Sequence, residues 1–119
     1  MFKKYKSPNI NERKDGKKPS FLILHYTGMK TAKDALDHLC DEKSKVSAHY
    51  LIEENGKIHQ LVDDNMRAWH AGVSYWQGET DINSSSIGIE IVNTGPDFEY
   101  KEFPDKQIKK LMKLCKDLM

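Results

Sequence analysis

A chain of 119 residues with 38% hydrophobic and 31% charged residues is long enough for one domain with a modest core, and it carries no signature of a disordered or fibrous protein. A net charge of +1 excludes a strong field aimed at nucleic acid. The longest apolar run, Phe21 to Leu24, is far short of the roughly 20 residues that span a bilayer.

Residues 1–19 are polar and broken by Pro8, Gly16 and Pro19, and they read as an extended basic arm ahead of a domain over 20–119. Seven Lys or Arg in the first 20 residues stand against Glu12 and Asp15, a run that is usually solvated surface. No apolar stretch follows the lysines, so no signal peptide is read. The expected location is the cytoplasm, or the periplasm or cell wall if a signal has been removed. Ser20–Tyr26 is a continuous apolar run, the pattern of a buried central strand. Gly28 breaks it. Thr31 is placed as an N-cap with Asp34 three residues on, and Ala32, Ala35, Leu36, Leu39 and Cys40 follow at helical spacing, which predicts an amphipathic helix over 32–41.

Ala48–Glu53 and Lys57–Val62 flank Glu54-Asn55-Gly56, an antiparallel hairpin by its Asn-Gly turn, in which both residues accept positive φ. Residues 67–72 are short enough for one more strand, and 73–85 read as a loop. Ser86–Val92 is a strand with Ile87, Ile89 and Ile91 on one face and Gly88, Glu90 and Val92 on the other. Pro104 and Asp105 open a last helix, whose apolar stripe runs to Met119. Cys40 and Cys115 each fall on an apolar helix position and read as reduced core thiols. The order is that of an α/β fold with a mixed sheet and helices covering it.

None of the five histidines pairs with another at i, i+4, and no CxxC is present, so spacing alone makes a weak case for metal. His25 ends an apolar strand before a glycine-containing loop. It is either a hydrogen-bonded histidine at the core edge or a ligand. Glu90 sits between Ile89 and Ile91, where a carboxylate is costly unless neutralised. It is a general base of raised pKa or a solvated strand residue. Trp69 and His70 line a groove or belong to the core. His38 is read as surface, and His49, His59, Tyr50, Tyr75 and Trp76 are left between core and groove.

Three stretches together, LILHYTGM (22–29), VSAHYLIEENGKIHQLVDDNMRAWHAGVSYWQG (46–78) and DINSSSIGIEIVN (81–93), resemble the type 2 N-acetylmuramoyl-L-alanine amidases, and SPNINER (7–13) is similar to the lead-in of bacterial members. The resemblance implies a central mixed β-sheet flanked by helices. It implies hydrolysis of the amide between N-acetylmuramic acid and L-alanine in peptidoglycan or muropeptides, with zinc as cofactor. By the same resemblance His25 is a zinc ligand, Glu90 the catalytic acidic residue, and His49, Trp69, His70 and Asn83 substrate contacts. The family's other two ligands and its last strand lie in a segment that this sequence does not contain, so the 119-residue form is expected to be impaired. Two further readings stand beside it: a module that binds muropeptides without cleaving them, and a site completed by His59 or His70 of a swapped partner.

Overall fold

The computed structural model describes residues 3–72, 78, 80–94 and 102–119; Tyr75 and Trp76 lie outside them. The described strands and α-helices in chain order are β1 (Lys3–Lys4), β2 (Ile10–Glu12), β3 (Phe21–Tyr26), α1 (Ala32–Leu39), β4 (Tyr50–Ile52), β5 (Ile58–Gln60), β6 (Met66–Ala68), α2 (Ile82–Ser85), β7 (Ser86–Ile91) and α3 (Asp105–Leu118). Among them β1, β5, β4, β7 and β3 form one sheet in that order, and β2 pairs with β6 in a second. β3 and β4 both run parallel to β7, β1 runs parallel to β5, and β4 is antiparallel to β5. The sheet is therefore mixed, as the order of elements implied.

Side chains alternate between the two faces of a strand, and the two helices cover opposite faces. On one face Ala35, Leu36 and Leu39 of α1 cluster with Leu51, Leu61, Val62, Ala68 and Val92. On the other, Leu111 and Leu114 of α3 cluster with Tyr50, Ile52, Ile87, Ile89 and Ile91. Each fully buried aliphatic side chain contributes about 1.5–3 kcal/mol, and the isoleucine stripe of β7 is what seats α3. Gln107, fully buried on α3, donates from Nε2 to the carbonyls of Ile52 (3.0 Å) and Val92 (2.9 Å), which ties the helix to the sheet. Cys40 and Cys115 are free thiols at the margins of the two clusters.

Three details differ from the sequence reading. Residues 82–85, read as the end of a loop, form the buried helical turn α2, since small polar residues look alike in a loop and in a short buried turn. β3 is an edge strand among the described elements, with Leu24 and Tyr26 49% and 53% exposed. An apolar run reports the hydrophobicity of both faces but not whether a second strand lies alongside. The hairpin turn has positive φ only at Gly56 (+90°). Asn55 acts through its side chain, whose Oδ1 accepts from the Lys57 N–H at 2.9 Å, in a turn closed by Gly56 N–H donating to Glu53 O at 2.9 Å. The capping prediction matches: Thr31 Oγ1 accepts from the Asp34 N–H at 3.0 Å.

The polar N-terminal stretch docks on this body. Asn9 is buried and donates from Nδ2 to Val46 O at 2.7 Å and Asp41 O at 2.9 Å. Arg13 is buried as well. Its guanidinium donates to the carbonyls of Asn83, Ser84, Ser86 and Asp64 at 2.7–3.2 Å, so one side chain gathers the arm, α2 and the loop before β6.

Candidate active site

The site lies on the α1 face of the sheet, at the C-terminal ends of β3 and β7. The register pairs His25 with Glu90, so the two side chains leave the same face from neighbouring strands, about 5 Å apart at the backbone. Period-2 alternation places Gly88 and Ser86 on that face below Glu90. A cavity of about 200 Å³ opens beside them, lined by Thr27, Met29, His38, Val46, His70 and Glu90 among others.

Three histidines converge here. His25 Nε2 lies 3.1 Å from His70 Nδ1, and the two rings meet edge to face at 5.3 Å between centroids. The ring of His49 is 6.2 Å from that of His70. His49 is fully buried and its tautomer follows from its partners. Nδ1 accepts from the Gly88 N–H at 3.0 Å, so the proton is on Nε2, which donates to Met66 O at 2.8 Å. His70 Nε2 lies 2.9 Å from Ser86 Oγ. The segment carrying it is held by Asn83 Oδ1, which accepts from the N–H groups of His70 (3.1 Å) and Ala71 (2.9 Å).

Burial sets the protonation of the group. It lowers the pKa of His25 and His49, and it takes that of His70 down to about 3, with the nearby histidines and Arg13 and Arg67 adding to the effect. The rings are neutral at physiological pH. Burial acts in the opposite sense on Glu90, whose pKa is pushed up to about 7. Its Oε2 is buried and has no hydrogen-bond partner among the described residues. A carboxyl group near pKa 7 facing a cavity is suited to taking and returning a proton at neutral pH.

The sequence candidates thus separate. His25, His70 and Glu90 come together, and His49 stands behind them as a buried support. Asn83 is also buried and engaged with backbone. Trp69 is half-buried with its indole N–H donating to Asn11 Oδ1 at 2.9 Å. His59 is buried elsewhere, hydrogen-bonded to Glu53 and covered by the ring of Tyr5. His38, read from sequence as surface, is exposed but lines the cavity. Sequence reasoning passed over Ser86 and Arg13. Ser86 had a signal in its even spacing from Glu90; Arg13 had none, since a buried arginine in a polar arm looks like any surface cation.

On donor chemistry His25 fits a zinc ligand, being a neutral imidazole at a cleft. A catalytic zinc takes three protein ligands. Among the described residues no group of three His, Cys, Asp or Glu is placed to hold an ion, so they fit one corner of such a centre and not the whole of it. No helix among the described residues is long and apolar enough to cross a membrane.

Comparison with known proteins agrees with this architecture. The chain is 39% identical over 110 residues to the N-acetylmuramoyl-L-alanine amidase AmiD of Escherichia coli, matching 82% of this chain and 39% of AmiD. It is 34% identical over 130 residues to the 1,6-anhydro-N-acetylmuramyl-L-alanine amidase AmpD of Haemophilus influenzae, matching 95% of this chain and 68% of that protein. The crystal structure of a selenomethionine derivative of AmpD superimposes with a TM-score of 0.84 at 31% identity, over 98% of this chain and 73% of that one. AmiD has been solved with the substrate anhydro-N-acetylmuramic acid-L-Ala-D-γ-Glu-L-Lys, and its structure matches at a TM-score of 0.72 and 34% identity, over 94% of this chain and 44% of AmiD. The chain thus spans between two fifths and two thirds of the two curated relatives. The profile of the N-acetylmuramoyl-L-alanine amidase family matches residues 15–119, and the chain belongs to that family.

Proposed function

We propose that this domain hydrolyses the amide between N-acetylmuramic acid and the L-alanine of a peptidoglycan stem peptide, with muropeptide fragments as substrates, and that His25 is one ligand of a zinc ion whose other ligands lie outside the described residues. The observation that carries the reading is Glu90: a carboxyl group on the same face as His25, opening on a cavity, with a pKa near neutrality. The relatives' names and the AmiD complex support the substrate class.

Zinc, when bound, polarises the amide carbonyl and lowers the pKa of a bound water. The chain's own contribution is proton transfer. Glu90 in its ionised form accepts a proton from the attacking water, and in its protonated form gives it to the departing alanine nitrogen. A pKa of about 7 keeps both forms accessible in one cycle. His38 and His70 on the cavity wall, with Thr27, are placed to contact the sugar or the peptide.

The test is mass-spectrometric: a muramoyl-peptide is incubated with the purified 119-residue chain and with a form extended at its C-terminus, and free stem peptide is sought. We expect turnover in the extended form, loss of it in Glu90→Gln and His25→Ala, and strong impairment of the 119-residue chain, whose described residues offer one ligand. Zinc content after dialysis into metal-free buffer should follow the same order. A second reading, binding without cleavage, is favoured by the single ligand among the described residues; tight muropeptide binding by an extended form that never releases peptide would establish it in place of the first.

A further inference from the structure

We infer that Ser86 and His70 are positioning residues for His25: a hydrogen-bond relay from Ser86 through His70 holds the proton of His25 on Nε2 and leaves Nδ1 as its lone-pair nitrogen. The inference rests on the reading of His25 as a ligand only for its purpose, since the relay itself is a property of the metal-free chain.

The direction of the relay is set at its buried end. Ser86 is fully buried, and its hydroxyl has one proton to give. The Ile82 carbonyl, 2.7 Å from Oγ, can only accept. The hydroxyl proton goes there, and Oγ turns a lone pair to His70 Nε2 at 2.9 Å. That nitrogen must therefore carry a proton. In a neutral ring the other nitrogen is then an acceptor, so the 3.1 Å contact between His70 Nδ1 and His25 Nε2 closes as a hydrogen bond when His25 donates. Three donors and three acceptors are matched with none left over. Reversing the chain would aim the Ser86 proton at His70 and set two lone pairs 2.7 Å apart at Ile82 O. A second proton on His70 would also reverse the upper bond, so the relay is read at a pH well above the ordinary imidazole pKa of about 6.5.

Independent contacts hold the ring in the plane this relay needs. The backbone of His70 is fixed by Asn83. One face of the ring rests on Gly88, where a Cβ would come within 2.5 Å of Cγ and 2.8 Å of Nδ1. Histidines that ligate metals ordinarily have their second ring nitrogen bonded to a carbonyl or carboxylate that fixes the tautomer. Here that acceptor is a second imidazole, itself oriented by a serine, and the nitrogen offered to a metal is Nδ1.

The experiment is two-bond ¹H–¹⁵N correlation of the imidazoles in the metal-free 119-residue chain and in His70→Ala, His70→Asn and Ser86→Ala. We expect His25 as a single Nε2–H tautomer in the parent chain. His70→Asn, whose Oδ1 replaces the accepting Nδ1, should preserve it, and His70→Ala should give a mixture. Ser86→Ala, which removes one buried oxygen, should release His70 from its own Nε2–H form, and this arm decides the matter if His70→Ala does not fold. His25 found as Nδ1–H or as an averaged mixture in the parent chain would overturn the relay, as would tautomers unchanged by every substitution. Because neither metal nor substrate is needed, failure of the amidase reading would appear separately, as an extended chain with the expected tautomers and neither zinc binding nor turnover.

Discussion

Gly88 lies so close beneath His70 that a Cβ built on it would fall 2.5 Å from Cγ of the imidazole. The contact is with the ring root, not with a flexible tip, so Gly88→Ala must push His70 away from both Ser86 and His25. Overpacking of this kind costs about 1–3 kcal/mol. In urea unfolding the variant should lose that much, and adding His70→Ala should return part of it by removing the clashing ring. A double variant in which the two losses simply add would show that Gly88 and His70 are not coupled.

Glu90 supplies a prediction in which stability and activity move in opposite directions. Its folded-state pKa of about 7 stands above the ordinary 4.5. A raised pKa means that the folded state favours the protonated form. The associated stability is present below about pH 4.5 and is lost as pH rises through 7. At one pKa unit per ~1.4 kcal/mol the loss is on the order of 3 kcal/mol at pH 8. Glu90→Gln keeps the shape without the buried charge, so it should exceed the parent in stability by roughly that amount at pH 8 and match it near pH 4, while turnover falls by about 10²–10⁴-fold. His25, His49 and His70 are present in both proteins, so their own titration largely cancels in the difference. An equal gain at both pH values would mean that the carboxyl is not desolvated.

How much of this was legible in the sequence depends on how local the signal was. The α1 cap at Thr31, the hairpin around Gly56 and the isoleucine stripe of β7 are written in neighbouring residues, and each appears where the pattern put it. His25 and Glu90 were visible as polar residues in apolar strands, and the family resemblance named both as site residues; the parallel register that pairs them was not legible. The edge position of β3 was not legible, because pairing is a relation between distant segments. Ser86 and Arg13 were hidden for a related reason: their partners are backbone carbonyls and a ring brought in from elsewhere in the chain, which no residue type announces.

Arg13 should prove a structural residue despite lying in a basic arm. Its guanidinium satisfies four carbonyls from three segments, and burial lowers its pKa. Lysine carries a single nitrogen and cannot reproduce that fork. Carbonyls left without donors in a buried place cost about 1–3 kcal/mol each. Arg13→Lys should therefore destabilise the fold by roughly 2–4 kcal/mol and make residues 1–19 readily cleaved by trypsin. A change within ~0.5 kcal/mol, the range of ordinary surface substitutions, would place Arg13 on the surface after all.

Asn83, carried over as a substrate contact, has its oxygen committed to the N–H groups of His70 and Ala71. Asn83→Ala removes that one acceptor and both hydrogen bonds with it. Each bond contributes about 0.5–1.5 kcal/mol, so opening of this segment should become easier by about 2 kcal/mol. The measurement is amide hydrogen exchange, read residue by residue. The amides of His70 and Ala71 should exchange on the order of 10- to 30-fold faster in the variant, while those of β3 and β4 hardly change. If Asn83 acts only on substrate, exchange at both amides will be unaltered and the whole effect of the substitution will fall on KM.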